Sequence, residues 1–284
     1  MILILECGST KSDWLLLGKS GERVAFSEDG INPSTLPPEK VDQYIRQGRE
    51  RLENPDSITR IYHYGAGVSG EMQRQLLATI YEKHFPNATA FLHDDMLAAA
   101  RATVGDERGI VCILGTGSNS CYYDGDRIRA NYQGLGYLIG DEGGGVDIGT
   151  RLIKLYYSQS LPEEVRRDLD AELEDRSGFV KKLYSHKKPN RYLASFTPIA
   201  AKHQNQPVVK AAIEASFKDL IKNYLRKYPD IDKLPINFVG SISRHFRDIL
   251  MEVLEDQGLK AGRFVTRPML ELEKYHYKKL QNEY

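Results

Sequence analysis

Two adjacent carboxylates, Asp94 and Asp95, stand where an apolar, strand-like run gives way to an alanine-rich helical stretch. A carboxylate at such a junction can accept the proton of an attacking hydroxyl group, which makes it a candidate general base. Aspartate at the start of a helix is also a common N-cap, because its side-chain oxygen accepts a hydrogen bond from a free backbone amide. We assign Asp94 to the cap and Asp95 to the base, although residue type alone leaves the reverse assignment open.

Two polar turns rich in small residues could bind phosphate groups. The N-terminal turn (residues 6–12, ECGSTKS) offers Ser9 and Thr10 as hydroxyl donors and Lys11 as a positive charge, and its small residues let the backbone approach an anion. The central turn (residues 114–119, LGTGSN) has the same character. Neither contains the G-x-x-x-x-G-K-[ST] pattern of a P-loop. Either could be an ordinary polar hairpin, but two such turns in equivalent places could together hold a triphosphate.

A third segment, residues 134–145, carries six glycines around Asp141 and Glu142. So many glycines suit tight backbone bends or contact with a ligand, and a mobile surface loop is the alternative. If the segment does contact a ligand, its two acids could bind sugar hydroxyls or order a magnesium-bound water.

Three other turns offer single candidate residues. Gly240 and Ser241 join a strand to a helix, where free N–H groups can face an anion or a nucleotide. Ser69 could contact a ligand or simply cap the helix that follows it. Asn32 is a turn residue by composition.

The order of predicted elements repeats along the chain. Residues 1–105 are predicted to form β-β-β-α-β-α-β-α, and a strand, polar turn and second strand start again at Gly109. The two openings, ILILECGSTKSDWLLL and GIVCILGTGSNSCYYD, can be laid side by side. We therefore predict an α/β protein of two similar lobes, 1–105 and 106–284, with a terminal helix over 268–284 that could pack back on the first lobe.

The second lobe is predicted to be the larger and more helical of the two. Helices are expected over 147–159, over 208–228 and from about 241 to 257, where Gly258 is the expected C-cap. The charged stretch 161–191 has poor periodicity and is predicted only as helix plus loop.

Composition excludes several classes of protein. The 284 residues are 41% hydrophobic and 27% charged, and no run reaches the ~18–20 apolar residues of a membrane span. Lys+Arg 39 balances Asp+Glu 39, so net charge gives no reason to expect a nucleic acid or an anionic membrane as partner. The three cysteines, Cys7, Cys112 and Cys121, show neither a disulfide framework nor zinc-ligand spacing. We expect a cytoplasmic enzyme.

In this order and spacing, the segments from Glu6 to about Ser243 resemble the N-acetylglucosamine kinase branch of the BadF/BadG-type ATPase family, within the actin–hexokinase–Hsp70 superfamily. The resemblance implies two ribonuclease-H-like lobes, each a mixed sheet flanked by helices, around a central cleft. It implies ATP and Mg²⁺ as cofactors, with the nucleotide between the two turns, and a small-molecule sugar as substrate. The oligomeric state is open, a homodimer included.

The resemblance also implies roles for single residues. Asp95 matches the catalytic base, and Asp94 stands where the family has asparagine. Cys7 and Ser9 replace two glycines of the family's first phosphate loop, and Glu6 is expected to act as an outer-shell acid for magnesium. The residues expected to bind the nucleotide are Gly8, Ser9, Thr10, Lys11, Gly115, Thr116, Gly117, Ser118, Gly240 and Ser241. Those expected to contact the sugar are Asn32, Ser69, Asn119 and Asp141.

The activity that the resemblance implies is phosphorylation of an amino-sugar hydroxyl by ATP, with N-acetylglucosamine and its 6-phosphate as the expected substrate and product. Glucosamine, N-acetylmannosamine and N-acetylmuramic acid are the other candidates. The rival hypothesis is an ATPase of the BadF/BadG activator type, which couples hydrolysis to conformational change in a partner protein and holds an iron–sulfur cluster through cysteines at a dimer interface. Cys112 and Cys121 lie on predicted neighbouring strands, and nothing else in the sequence indicates a cluster.

Overall fold

The N-terminal strands form a five-stranded mixed sheet in the computed structural model, which describes residues 1–132, 135–173, 175 and 177–282. Gly134, two positions of the stretch 161–191 and the last two positions of the predicted terminal helix lie outside the described residues. Its strands are β1 (Ile2–Cys7), β2 (Lys11–Leu17), β3 (Arg23–Asp29), β4 (Arg60–Gly65) and β5 (Thr89–Asp94). The strand order is β3-β2-β1-β4-β5. β1 is antiparallel to β2 and parallel to β4; β2 and β3 are antiparallel, and β4 and β5 are parallel.

Helices cover both faces of β1, which explains why its sequence is apolar without alternation. Leu3 and Leu5 pack on one face with the first two helices, and Ile2 and Ile4 pack on the other face with the third and the terminal helix. These helices are α1 (Pro38–Glu50), α2 (Glu71–His84), α3 (Asp95–Thr103) and the terminal helix α12 (Pro268–Gln281).

A second sheet repeats the topology of the first. Its strands are β6 (Gly109–Leu114), β7 (Ser118–Tyr123), β8 (Ile128–Ala130), β9 (Ile236–Val239) and β10 (Ala261–Val265). The strand order is β10-β9-β6-β7-β8, with two antiparallel pairs on one side of β6 and two parallel pairs on the other. The repeat that the two sequence openings predict is therefore confirmed, as is the fold class of two ribonuclease-H-like sheets flanked by helices.

Two predicted helices are shorter than expected. The helix predicted over 208–228 ends at Asn223 and is followed by a 3-10 turn. The helix predicted from about 241 to 257 breaks at Phe246, a buried residue whose φ of −109° and ψ of 29° are not helical; Gly258, the expected C-cap, has the left-handed φ of +67°. The helices between β8 and β10 are α4 (Gly145–Tyr157), α5 (Glu163–Leu173), α6 (Phe179–Ser185), α7 (Pro189–Ala194), α8 (Thr197–Lys202), α9 (Pro207–Asn223), α10 (Ser241–His245) and α11 (Arg247–Asp256).

The chain divides into two compact units. The first unit consists of Met1–Gly105 and the segment that starts at Arg267, and the second is Asp106–Thr266. The terminal helix joins the first unit because Leu272 and Leu280 are buried beside α3. No helix within the described ranges is long and apolar enough to cross a bilayer.

Candidate functional site

The two acids that follow β5 have different environments. Asp94 Oδ1 accepts a hydrogen bond of 2.8 Å from the amide of Leu97, which makes Asp94 the N-cap of α3. The capping role that we assign to Asp94 is therefore confirmed. Asp95 is the first residue of α3 and its side chain is half-buried, so its carboxyl group is not needed for the cap.

The cap can be tested by its effect on stability. Replacing Asp94 by alanine is expected to lower the free energy of unfolding by about 1 kcal/mol, because α3 loses the acceptor for the Leu97 amide. Asp94→Ser, which keeps a capping oxygen, is expected to retain most of that stability. Urea denaturation followed by circular dichroism measures both variants, and an alanine variant as stable as the wild type would contradict the capping role.

The carboxyl group of Asp95 has an unusual protonation equilibrium. Burial raises its pKa to about 6, and the neighbouring Asp94 carboxylate contributes to the rise. Backbone hydrogen bonds from Asp95 and Met96 act in the opposite direction. A carboxyl whose pKa lies near the working pH can both hold and release a proton, and this suits it to general-base catalysis.

Two further acids lie on the same face of the first sheet. Glu6 and Asp13 are register partners on β1 and β2, and the Nζ of Lys11 lies 2.8 Å from Asp13 Oδ1. Burial raises the pKa of Glu6 to about 7; Asp13 and Asp95 add to the rise, while Lys11 opposes it. This excess of negative charge favours a cation at this end of the sheet.

The Glu6 and Asp13 carboxylates suit Mg²⁺ that is held through its water shell. Among the described residues, no group of three or more His, Cys, Asp or Glu side chains is arranged to hold a metal ion. Mg²⁺ commonly keeps several waters and is bound through substrate phosphates with one or two carboxylates. Glu6 and Asp13 are the side chains that offer such carboxylates.

The N-terminal turn is held in place by Asn32. Within the turn, the Gly8 amide donates to the Lys11 carbonyl over 2.9 Å. Asn32 Nδ2 donates to Ser9 Oγ over 2.9 Å, and Asn32 Oδ1 accepts from the Ser34 amide over 3.0 Å. Both ends of this buried side chain are therefore engaged inside the protein, which gives Asn32 a structural task that its sequence context alone does not reveal.

The turns of the first unit leave the sheet at one edge. Cys7, Gly65 and Asp94 are register partners at the carboxyl ends of the parallel strands β1, β4 and β5, the edge where open α/β sheets bind ligands. Ser69 is exposed in the turn after β4. The N-cap of α2 is Gly70 and no side chain caps it, so the alternative reading of Ser69 as a helix cap is wrong.

In the second unit, the central turn is bound to the start of α4. The Gly115 carbonyl accepts from the Gly145 amide over 2.8 Å, and the Thr116 carbonyl accepts from the Val146 amide over 2.8 Å. Neither of these two bonds uses the amide or the hydroxyl group of Thr116. Helix α4 thus fixes the position of a turn that carries small, polar residues.

Ser118 and Asp141 form a second link between the turn and the glycine-rich segment. The amide of Ser118 donates to Asp141 Oδ1 over 3.1 Å, and its hydroxyl donates to the Glu142 carbonyl over 2.7 Å. A Cβ at Gly117 would lie 2.6 Å from Asp141 Oδ2, so a residue with a side chain there would displace the Asp141 carboxyl group. Asp141 has a left-handed φ of +66°, and burial raises its pKa. Asn119 Oδ1 accepts from the next amide in β7.

A pocket of about 240 Å³ lies beside the central turn. Gly115, Thr116 and Ser241 all line it, so the structure brings together three of the residues predicted to bind a nucleotide. Gly240 allows this proximity: its φ is +115°, and a Cβ there would lie 2.8 Å from the carbonyl carbon of Leu114.

An adjoining pocket of about 370 Å³ has a more apolar lining. It shares Thr197, Ser241 and Ile242 with the first pocket, and Pro198, Ala201, His245 and Phe246 complete it. A polar pocket that continues into an apolar one suits a ligand with a charged end and a flat, apolar end.

Sequence reasoning missed three residues with polar side chains that line the polar pocket, Arg191, Ser195 and Thr197. They belong to α7, α8 and the link between them. Each helix is only six residues long, too short for a hydrophobic period to appear. The one local signal is proline in the first turn of both helices, at Pro189 and Pro198, and it predicts a helix start but not a binding site.

The chain is similar to known proteins over nearly its whole length. Residues 6–269 match the BadF/BadG/BcrA/BcrD ATPase family. A structure from Porphyromonas gingivalis, provisionally named an N-acetylglucosamine kinase, is 35% identical with a TM-score of 0.89, over 98% of this chain and 99% of that one.

Two more distant structures share the fold. One from Chromobacterium violaceum, provisionally given the same name, is 21% identical with a TM-score of 0.72, over 92% of this chain and 94% of that one. One from Cytophaga hutchinsonii, provisionally named a sugar kinase, is 15% identical with a TM-score of 0.54, over 93% and 94%. The fold, the matched span and the 35% identity to the Porphyromonas protein lead to one conclusion: this chain belongs to the BadF/BadG/BcrA/BcrD ATPase family.

Proposed function

We propose that this protein is an ATP-dependent kinase that phosphorylates a hydroxyl group of an amino sugar, with N-acetylglucosamine converted to its 6-phosphate. The observation that carries the proposal is the state of Asp95: a half-buried carboxyl group at the start of α3, with a pKa raised to about 6, beside a residue that already provides the cap. The identity of 35% to a protein provisionally named an N-acetylglucosamine kinase supports the choice of sugar.

In this proposal Asp95 is the general base. Its carboxylate orients the sugar hydroxyl and accepts its proton as the hydroxyl oxygen forms a bond to the γ-phosphorus. The bond from the γ-phosphorus to the bridging oxygen breaks, and its electron pair leaves with ADP. The products are the sugar phosphate, ADP and the proton held by Asp95, which returns to solvent.

The second unit supplies groups for the nucleotide. The polar pocket beside Gly115 and Thr116 suits phosphates, because backbone amides and a hydroxyl can donate to phosphate oxygens. The adjoining pocket with Pro198, Ala201 and Phe246 suits the purine base. The amide and hydroxyl groups of Ser118 donate hydrogen bonds to Asp141 and Glu142. The proposed role of Ser118 is therefore to shape the turn.

Glu6 and Asp13 have a proposed role in binding magnesium. When bound, magnesium neutralises charge on the β- and γ-phosphates. The carboxylates of Glu6 and Asp13 would hold water molecules of its shell. The pKa of Glu6, about 7, is high because of burial and neighbouring acids; a nearby dication would favour its ionised form.

The activator-type ATPase finds less support. A cluster shared across a dimer needs cysteines that reach a surface. Cys112 and Cys121 are both 0% exposed, on strands β6 and β7 in the core of the second unit. Their positions suit packing, as expected for cysteine side chains surrounded by apolar residues.

A coupled assay of ADP release over a panel of sugars tests the proposed function. We expect release to require N-acetylglucosamine and to be absent with its 6-deoxy analogue, which lacks the acceptor oxygen but keeps the rest of the sugar. Glucosamine, N-acetylmannosamine and N-acetylmuramic acid complete the panel, and phosphorus NMR locates the new phosphate. ADP release that is independent of every sugar, or equal with the 6-deoxy analogue, would contradict a kinase acting at the 6-hydroxyl.

A further inference from the structure

The polar pocket beside the central turn has a single charged residue among the described residues that line it, Arg191. The other lining residues are glycine, alanine, isoleucine or hydroxyl-bearing: Gly115, Thr116, Gly145, Ala194, Ser195, Thr197, Ser241 and Ile242. Hydroxyls and amides can donate to phosphate oxygens, but they bring no net charge to balance a polyphosphate. Arg191 is therefore the lining residue best suited to an anionic ligand.

Two glycines of α4 place the helix that carries Arg191. Gly145 and Gly149 lie one turn apart, on the face of α4 that meets α7. A Cβ at Gly149 would lie 3.0 Å from the carbonyl carbon of Leu193, and a Cβ at Gly145 would lie 3.2 Å from Ala194 Cβ. The absence of side chains at these positions lets the backbone of α7 pack directly on α4.

The same end of α4 also fixes the central turn, because the Gly145 amide donates to the Gly115 carbonyl over 2.8 Å. The start of α4 thus sets the position of both the central turn and α7. Because α4 supports both elements, the packing of the second unit fixes the distance between Arg191 and the central turn.

We infer that Arg191 is a nucleotide-binding residue whose guanidinium group recognises the phosphate chain of ATP in this pocket, an inference that rests on the proposed function. A guanidinium presents several N–H donors in a planar fork that matches two phosphate oxygens at once. Lysine supplies the charge without the fork, and glutamine supplies neither the charge nor the full set of donors.

Arg191 is positioned to contact the phosphate end of the nucleotide and not its base and ribose. The apolar pocket shares Thr197, Ser241 and Ile242 with the polar one but is not lined by Arg191. A base and ribose bound there would gain little from the guanidinium. Arg191 should therefore matter for ATP and ADP and be nearly neutral for adenosine.

Calorimetric titration of the purified protein with ATP, ADP and adenosine tests this. In Arg191→Gln the Kd for ATP is expected to rise about tenfold or more, the range for lost hydrogen bonds to a charged group, while the Kd for adenosine stays unchanged. Arg191→Lys is expected to be intermediate. Arg167→Gln is the matched control: Arg167 is an exposed residue of α5 whose partner is Glu163, and its loss should leave both Kd values as in the wild type.

Two results would overturn the inference. One is an unchanged Kd for ATP in Arg191→Gln. The other is an equal loss of affinity for ATP and adenosine, which indicates a general distortion of the unit. These outcomes are separate from the fate of the proposed function: if ATP binding depends on Arg191 but no sugar promotes ADP release, the inference holds and the kinase proposal fails.

Discussion

Asp95→Asn is expected to release ADP in the presence of the sugar with a kcat at least ~10²-fold below that of the wild type, the lower range for general-base catalysis. Asparagine has nearly the same size as aspartate and can still form hydrogen bonds, but its amide cannot take a proton from the hydroxyl. Asp95 is not the residue that caps α3, so the fold should survive the change. The Kd for ATP should stay near the wild-type value, because no nucleotide-binding role is assigned to this side chain.

The pH profile gives a second, independent readout. Burial and the Asp94 carboxylate hold the pKa of Asp95 at about 6. A base works only when it is ionised, so the wild-type kcat should fall as the pH decreases through about 6. The residual activity of Asp95→Asn should lack this acidic limb.

Asp94→Ser is the matched control for the choice between the two acids. It keeps a capping oxygen, so we expect a kcat close to that of the wild type. It also removes a negative neighbour that raises the pKa of Asp95, so the acidic limb should move to lower pH. Full activity in Asp95→Asn, or equal inactivity in both variants, would reject Asp95 as the base.

The parts of the structure that could be predicted from sequence are those set by local pattern. An apolar strand, a turn of small residues and a second strand occur twice, and both copies fold as antiparallel pairs in sheets of the same topology. The cap at Asp94 follows from its place just before a helical stretch. Such features depend on neighbours in the chain, so residue type and spacing are enough to indicate them.

The missed features depend on contacts between residues far apart in sequence. Asn32 is a turn residue by composition, but its bond to Ser9 requires knowledge of how two turns meet. Phe246 interrupts a regular helical pattern with non-helical dihedral angles, and its ring is buried in the core of the second unit. Arg191 lines the pocket because two glycines on α4 leave room for α7 to pack against it. Neither α7 nor its neighbouring residues show a hydrophobic period or a motif that would indicate this position.

Gly240, at the strand-to-helix junction, lies so close to the backbone of Leu114 that it leaves no room for a side chain. Gly240→Ala is expected to raise the Kd for ATP about tenfold or more, because a shift at this junction would weaken hydrogen bonds to charged phosphate oxygens, each worth about 1.5–3 kcal/mol. Gly240 has φ +115° and ψ 169°, a region that residues with a side chain occupy at a cost of about 1–3 kcal/mol. An added Cβ would also meet the backbone of Leu114, with the carbonyl carbon at 2.8 Å. Relief of that clash requires the backbone at Gly240 to shift relative to the backbone at Leu114, where the central turn begins. Ser241 and the central turn both line the polar pocket, so the shift changes its shape.

Gly258→Ala separates this effect from the general cost of left-handed backbone. Gly258 lies in the same unit and has φ +67°, but a Cβ there would meet nothing within 4 Å. Its replacement should lower the free energy of unfolding by about 1 kcal/mol and leave the Kd for ATP unchanged. Both variants are therefore expected to melt at lower temperatures than the wild type, and only Gly240→Ala should bind ATP more weakly. If the two variants have the same Kd for ATP, the close approach of Gly240 to Leu114 does not shape the nucleotide pocket. Backbone strain, which both variants share, would then explain any loss of affinity.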